Sequence, residues 1–229
     1  MLFNTIVLLR HGESLWNHEN RFTGWTDVNL SQNGKDEAKR AGLLLKNNDY
    51  SFDSVYTSCL KRANLTMDIC LKEMLSSDIE VVYDWRLNER HYGALQGLNK
   101  SETAKKFGEE QVFIWRRSYD IPPPPLELGD KRHPANDSKY NNISALLPSS
   151  ESLKDTYNRL LPLLTKKILK QVKLGRKILI VAHGNSLRAI VKYLDKLSND
   201  EIVKINIPTG QPLVYELDAN LSPIKNFYL

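Results

Sequence analysis

Ile6-Val7-Leu8-Leu9-Arg10-His11-Gly12 and Ile178-Leu179-Ile180-Val181-Ala182-His183-Gly184 are the two stretches whose reading decides the fold. Each is a continuous run of mostly branched apolar residues, the pattern of a strand covered on both faces, and each runs into a histidine followed by glycine. In open parallel sheets, ligands bind beyond the carboxyl ends of the strands, where strand order reverses. If the two strands are neighbours, both histidines face one pocket. A glycine directly after each histidine suits a chain that turns sharply or lets backbone N–H groups approach a ligand. A helix is expected after each, beginning near Ser14 and near Ser186, with its N-terminal N–H groups directed at the same place.

Outward from these strands, Ser31 precedes a helical pattern marked by Ala38, Ala41 and Leu45. Residues 53–57 read as a short strand, 63–75 as a helix and 80–84 as a third strand. Regular order returns with a long helix over 152–173, interrupted at Pro162 and ended near Gly175, then a helix over 186–197 and a late strand over 213–217. Alternating strands and helices predict an α/β fold, a three-layer αβα sandwich around a mainly parallel sheet. Between the third strand and the long helix, residues 88–150 break the rhythm. They carry a helix near 101–115 and the run Pro122 to Pro125, and their density of tryptophan, tyrosine and arginine reads as an ordered, inserted cap over a site. At 229 residues the chain reads as one domain, 1–229.

The formal net charge is +5, with the basic residues spread along the chain rather than gathered in a run, which argues against nucleic acid. No apolar stretch approaches the roughly 20 residues that span a bilayer, which argues against a membrane partner. The apolar run 2–9 has no basic residue before it and no cleavage site after it, so it reads as a first strand, not a leader. The two cysteines, Cys59 and Cys70, fall in core-forming segments and suit buried thiols in a reducing cytoplasm.

Two facing imidazoles could hold a metal, do covalent chemistry, or be two satisfied core histidines. Their neighbours favour the second. Arg10 adjoins His11, Arg62 follows the second strand in Ser58-Cys59-Leu60-Lys61-Arg62, and Arg188 lies just beyond His183. Arginines grip phosphoryl oxygens through two parallel N–H bonds and repel a metal ion.

The blocks Leu9-Arg10-His11-Gly12-Glu13-Ser14, Phe22-Thr23-Gly24-Trp25-Thr26-Asp27, Trp85-Arg86-Leu87-Asn88-Glu89-Arg90-His91-Tyr92-Gly93, Ile114-Trp115-Arg116-Arg117-Ser118-Tyr119 and Ala182-His183-Gly184-Asn185-Ser186 resemble the cofactor-dependent phosphoglycerate mutases, a branch of the histidine phosphatase superfamily. The resemblance runs nearly end to end. It implies interconversion of 3-phosphoglycerate and 2-phosphoglycerate in glycolysis and gluconeogenesis, through a phosphohistidine primed by 2,3-bisphosphoglycerate and without a metal. It also implies a cytoplasmic homodimer. His11 would carry the phosphoryl group, Arg10, Arg62 and His183 would hold its oxygens, and Glu89 would be the general acid and base. Asn17, Thr23, Gly24, Arg90, Tyr92, Lys100, Arg116, Arg117, Gly184 and Asn185 would bind the rest of the substrate. Arg90 and Arg86 are expected to act on the charge of Glu89, against its burial. Many family members end in a mobile lysine- and alanine-rich tail, whereas this sequence ends on Phe227-Tyr228-Leu229 as short-tailed members do, which bears on how far the phosphoenzyme is shielded from water. Three rivals remain at this stage: a phosphatase of the same superfamily, a mutase whose main task is making or degrading the bisphosphate, and an inactive scaffold that kept the fold.

Overall fold

A computed structural model of the chain describes residues 4–76, 78–143 and 146–229; Leu2 and Phe3 of the first apolar run and Ser144 and Ala145 of the middle segment lie outside them. The strands are β1 (Asn4–Arg10), β2 (Ser54–Thr57), β3 (Glu80–Tyr83), β4 (Ile178–Ala182), β5 (Pro212–Leu217) and β6 (Pro223–Tyr228), in one sheet of order β3-β2-β4-β1-β5-β6. The first four are mutually parallel, and β5 runs against both β1 and β6. The sheet is therefore mainly parallel, as expected.

The two decisive stretches are neighbours. Their register pairs Ile6 with Ile178 and Arg10 with Ala182, so the next residues, His11 and His183, leave the sheet side by side. The His11 N–H extends the ladder by donating to the Ala182 carbonyl at 3.0 Å. Successive side chains of a strand point to opposite faces, and here both faces are covered. Ile6, Leu8, Ile178 and Ile180 pack under α6 (Leu153–Leu163), α7 (Leu169–Lys173) and α8 (Gly184–Leu194), whereas Val7, Leu9, Leu179 and Val181 pack under α2 (Gln32–Asn47) and α3 (Lys61–Glu73). Each of these strand residues is fully buried, an arrangement that stabilises by roughly 1.5 to 3 kcal/mol per side chain. Neither run could carry a polar residue without exposing it to a core.

Several elements depart from expectation, each for a local reason. The helix after His11 is a single turn, α1 (Leu15–His18), capped by Ser14 and ended at Asn20, whose φ of 55° is left-handed. Behind it, Gly12 lies so close to the start of α2 that a Cβ there would meet the Gly34 carbonyl oxygen at 2.1 Å. The glycine thus serves packing, and its N–H is already given to Thr66 Oγ1 at 3.0 Å. The helix expected near 101–115 is two, α4 (Lys100–Phe107) and α5 (Glu109–Arg117), broken at Gly108 with φ 88°. In the long helix, α6 passes Pro162 and then widens into a π turn over Leu164–Ile168 before α7 continues. The helix after His183 begins at Gly184, two residues earlier than expected. Strand β6 and the turn α9 (Asn199–Ile202) have no counterpart in the sequence reading; β6 is a largely exposed edge strand without an apolar run.

The segment after β3 attaches to the carboxyl end of the sheet. Asn88 accepts the Cys59 N–H just beyond β2 at 2.9 Å and donates to the Tyr140 hydroxyl at 2.9 Å. Lys139 reaches Asp27, and Arg132 donates to the Gln96 carbonyl.

Candidate active site

Beyond β1 and β4 lies a cavity of about 200 Å³. Its floor is His11, only 2% exposed. Nδ1 of His11 sits 2.7 Å from the Gly12 carbonyl oxygen, which can only accept, so Nδ1 carries the hydrogen and Nε2 keeps its lone pair. Burial, then the charges of Arg62 and Arg10, hold the imidazole well below the ordinary histidine pKa, despite the opposing pull of the Gly12 carbonyl. His11 is therefore unprotonated at neutral pH, with Nε2 the nitrogen that keeps a lone pair able to attack.

Arg62, in the first turn of α3, directs Nε at that nitrogen from 3.3 Å, while its Nη atoms donate to the carbonyls of Thr26 and Gly24 at 3.0 and 2.8 Å. Burial brings its pKa to about 10, still far above neutrality. The Arg10 side chain donates to the Ile207 carbonyl at 2.7 Å, and its Nε is buried without a partner among the described residues. His183 stands beside His11 with ring centroids 4.9 Å apart, off the cavity wall, with Nε2 2.8 Å from Ser58 Oγ. Burial first, then Arg62, His11 and Arg10, lowers its pKa as well.

Glu89 supplies the single carboxylate among the charged side chains lining the cavity, against Arg10, Arg21, Arg62, Lys100, Arg116, Arg117 and Arg188. Its Oε1 accepts the N–H groups of Arg90 at 2.7 Å and of Asn185 at 3.1 Å, so the first turn of α8 is aimed at this carboxylate. Its backbone is held as well: the Glu89 carbonyl accepts from Trp25 Nε1 and from Arg159, which also grips the carbonyls of Arg86 and Asn88 and pairs with buried Glu151. Gly184 lies against two charged side chains of the cavity, since a Cβ there would stand 3.5 Å from Arg10 Cζ and 3.7 Å from Glu89 Oε2.

Of the expected substrate-binding residues, Asn17, Thr23, Gly24, Tyr92, Lys100, Arg116, Arg117, Gly184 and Asn185 line the cavity together with Arg10, Arg62 and Glu89. Arg90 does not. It is fully buried behind the wall, stacked 4.6 Å over the Tyr92 ring and donating to the Arg116 carbonyl, so it supports two lining residues. Arg86 is also displaced from its expected role beside Glu89, being paired with Asp84 at 2.6 Å. Arg21, Phe22, Asn206 and Ile207 line the cavity without having been assigned there from sequence, and so does Arg188, which the sequence named only as a phosphoryl-favouring neighbour of His183. Asn206 lies in no pattern that points to a ligand.

On the cavity wall Arg10 Nε and the Thr23 hydroxyl are buried without a partner among the described residues, and behind it so are Arg90 Nε and Nη1 and His183 Nδ1. Such groups on the wall are costly unless a ligand completes them, and unpaired donors there beside so many cations fit an anion with several oxygens. Among the described residues no three His, Cys, Asp or Glu side chains gather as a metal-binding set.

Comparison with known proteins agrees with this geometry. The family model described as histidine phosphatase superfamily (branch 1) matches residues 6–226. A 2,3-bisphosphoglycerate-dependent phosphoglycerate mutase of Borreliella burgdorferi (strain ZS7) is 60% identical over 225 residues, covering 98% of this chain and 91% of that protein. The protein of the same description from Borreliella afzelii (strain PKo) is also 60% identical, with the same coverage. Among solved structures, Bacillus stearothermophilus YhfR superposes with a TM-score of 0.72 at 23% identity, covering 96% of this chain and 93% of that one. A mycobacterial glucosyl-3-phosphoglycerate phosphatase complexed with VO3 gives 0.69 at 22% identity, with 92% of each chain covered. These two likenesses speak for the fold.

Proposed function

Because the chain belongs to the histidine phosphatase superfamily (branch 1), we propose that its cavity is a phosphoryl-exchange site that interconverts 3-phosphoglycerate and 2-phosphoglycerate in glycolysis and gluconeogenesis. The observation that carries this reading is the lone-pair nitrogen Nε2 of His11, fixed by the Gly12 carbonyl at the floor of a cavity lined by cations and a single carboxylate. The 60% identity to the Borreliella mutases supports the particular substrate pair.

When bound, 2,3-bisphosphoglycerate supplies the phosphoryl group that primes His11. Nε2 of His11 attacks phosphorus, and Arg62 and Arg10 lie where charge spreads over the equatorial oxygens. Glu89 gives its proton to the glycerate oxygen that departs and takes one from the hydroxyl that attacks His11-bound phosphorus, so the proton count closes over a cycle. Lys100, Arg116 and Arg117 hold the substrate's second phosphate and carboxylate, each charged hydrogen bond being worth roughly 1.5 to 3 kcal/mol. Residues 88–150 are read as an insertion of one domain, 1–229, whose part Glu89 to Arg117 brings these charges over the cavity. Among the described residues no helix is long and apolar enough to cross a membrane. A cytoplasmic homodimer belongs to the same reading, and light scattering tests its second half.

The deciding experiment assays the dialysed protein on 3-phosphoglycerate, with and without 2,3-bisphosphoglycerate, for both 2-phosphoglycerate and inorganic phosphate. Bisphosphate-dependent 2-phosphoglycerate as the main product supports exchange. Inorganic phosphate as the main product makes the protein a phosphatase.

A further inference from the structure

Ser58 closes the end of β2 with a fully buried side chain, and its hydroxyl oxygen lies 2.8 Å from Nε2 of His183. The same oxygen accepts the Leu60 N–H at 3.2 Å. A serine hydroxyl offers one donor and two acceptor positions, and the Leu60 amide occupies one of the latter. If Nε2 carried the imidazole hydrogen it would take the second. The Ser58 hydrogen would then have no acceptor among the described residues, and Nδ1 of His183 would be a buried lone pair in no hydrogen bond, the Ser186 N–H of the first turn of α8 facing that ring without bonding to it. If Ser58 donates to Nε2 instead, its hydroxyl is satisfied as donor and acceptor, and one atom is left over: Nδ1, now bearing hydrogen. Buried polar groups are rarely left unpaired without a functional reason, so the arrangement with a single orphan is preferred to the one with two.

We propose that Ser58 is a positioning residue that fixes His183 as the Nδ1–H tautomer, making it a neutral donor to the oxygens of a phosphoryl group carried on His11. The His183 ring stands 4.9 Å from that of His11, within the reach of a phosphoryl group between them. A neutral donor suits this place. A protonated imidazole would add a like charge beside Arg62 and Arg10, whereas an oriented N–H stabilises developing negative charge without reorganisation. The tautomer stands on the hydrogen-bond geometry; its catalytic use rests on the phosphohistidine reading above.

Nitrogen-15 NMR of the histidine-labelled protein separates the two. The expected spectrum of the wild type shows His183 Nδ1 protonated and Nε2 bare. Protonation at Nε2 would overturn the proposal whatever the activity. Ser58→Ala, nearly equal in volume, is expected to lose this preference and to lower kcat by about 10²-fold, the scale of one lost transition-state donor, with KM held within about twofold. A folded Ser58→Ala with unchanged nitrogen shifts and full kcat would also overturn it. If that variant does not fold, the wild-type spectrum still decides the tautomer. The expected tautomer in a protein without mutase turnover would instead remove the phosphoglycerate reading and leave the role of Ser58 in fixing the ring intact.

Discussion

Nε of Arg62 lies 3.3 Å from Nε2 of His11, a cation aimed at the one imidazole nitrogen free to react. The pairing does two things. It helps keep His11 unprotonated, and it holds a donor beside the point where phosphorus would arrive. Because Arg62 is itself fixed by the carbonyls of Thr26 and Gly24, the chain segment after α1 determines where the cation of α3 points.

Glu89→Gln is expected to fold normally, since an amide oxygen can still accept the Arg90 and Asn185 N–H groups that Oε1 accepts now. It cannot exchange a proton. Mutase kcat should fall by about 10²- to 10⁴-fold, the usual contribution of a general acid. Steady-state kinetics check this, and an unchanged kcat would take Glu89 out of the mechanism.

Stability should fall below the ordinary histidine pKa. His11, His183 and His91 are all held below it, chiefly by burial, with His91 brought to about 3. The unfolded chain binds protons there that the folded one refuses. Their stabilising contribution is thus complete above pH of about 6.5 and is lost as pH drops toward the folded-state values, by about 1.4 kcal/mol per pH unit for each histidine. Urea denaturation near pH 7.5 and near pH 5.5 should differ by about 4 kcal/mol. Equal midpoints would mean that these histidines are not neutral in the folded protein.

Gly12→Ala should destabilise by about 1 to 3 kcal/mol or more, because the new methyl would overlap the Gly34 carbonyl, which α2 holds in place. Gly108→Ala meets no atom within 4 Å among the described residues, but its φ of 88° and ψ of 143° lie in a region that favours glycine alone, so it carries backbone strain of about 1 to 3 kcal/mol without overlap. Chemical denaturation of the pair distinguishes overlap from strain. A Gly12→Ala protein as stable as the wild type would contradict the packing described.

The sheet was legible because β1 and β4 are buried on both faces, so their runs admit no polar residue and each ends on the same His-Gly pair. The long helix was legible from its caps, with Ser152 at one end and Gly175 at the other. What escaped had no such constraint. Strand β6 is exposed at the sheet edge and needs no apolar pattern, and α1 ends early through the left-handed backbone of Asn20, which the sequence pattern did not flag. At the site, motifs named side chains without saying where they point. Arg90 adjoins Glu89 and Arg86 lies three residues before it, yet one stacks on Tyr92 and the other pairs with Asp84, because nearby residues of an irregular segment project in different directions. Arg188 reaches the cavity for the converse reason, one helical turn bringing it back to the side of Asn185, to which it donates at 3.0 Å.

The most direct measurement is to incubate the protein with 2,3-bisphosphoglycerate and map the transferred phosphate by peptide mass spectrometry under mildly alkaline conditions. The account predicts one acid-labile phosphoryl group, on His11, and none on His11→Ala, which should also have lost mutase turnover. Phosphate on another residue, or a His11→Ala protein that still converts 3-phosphoglycerate, would contradict it.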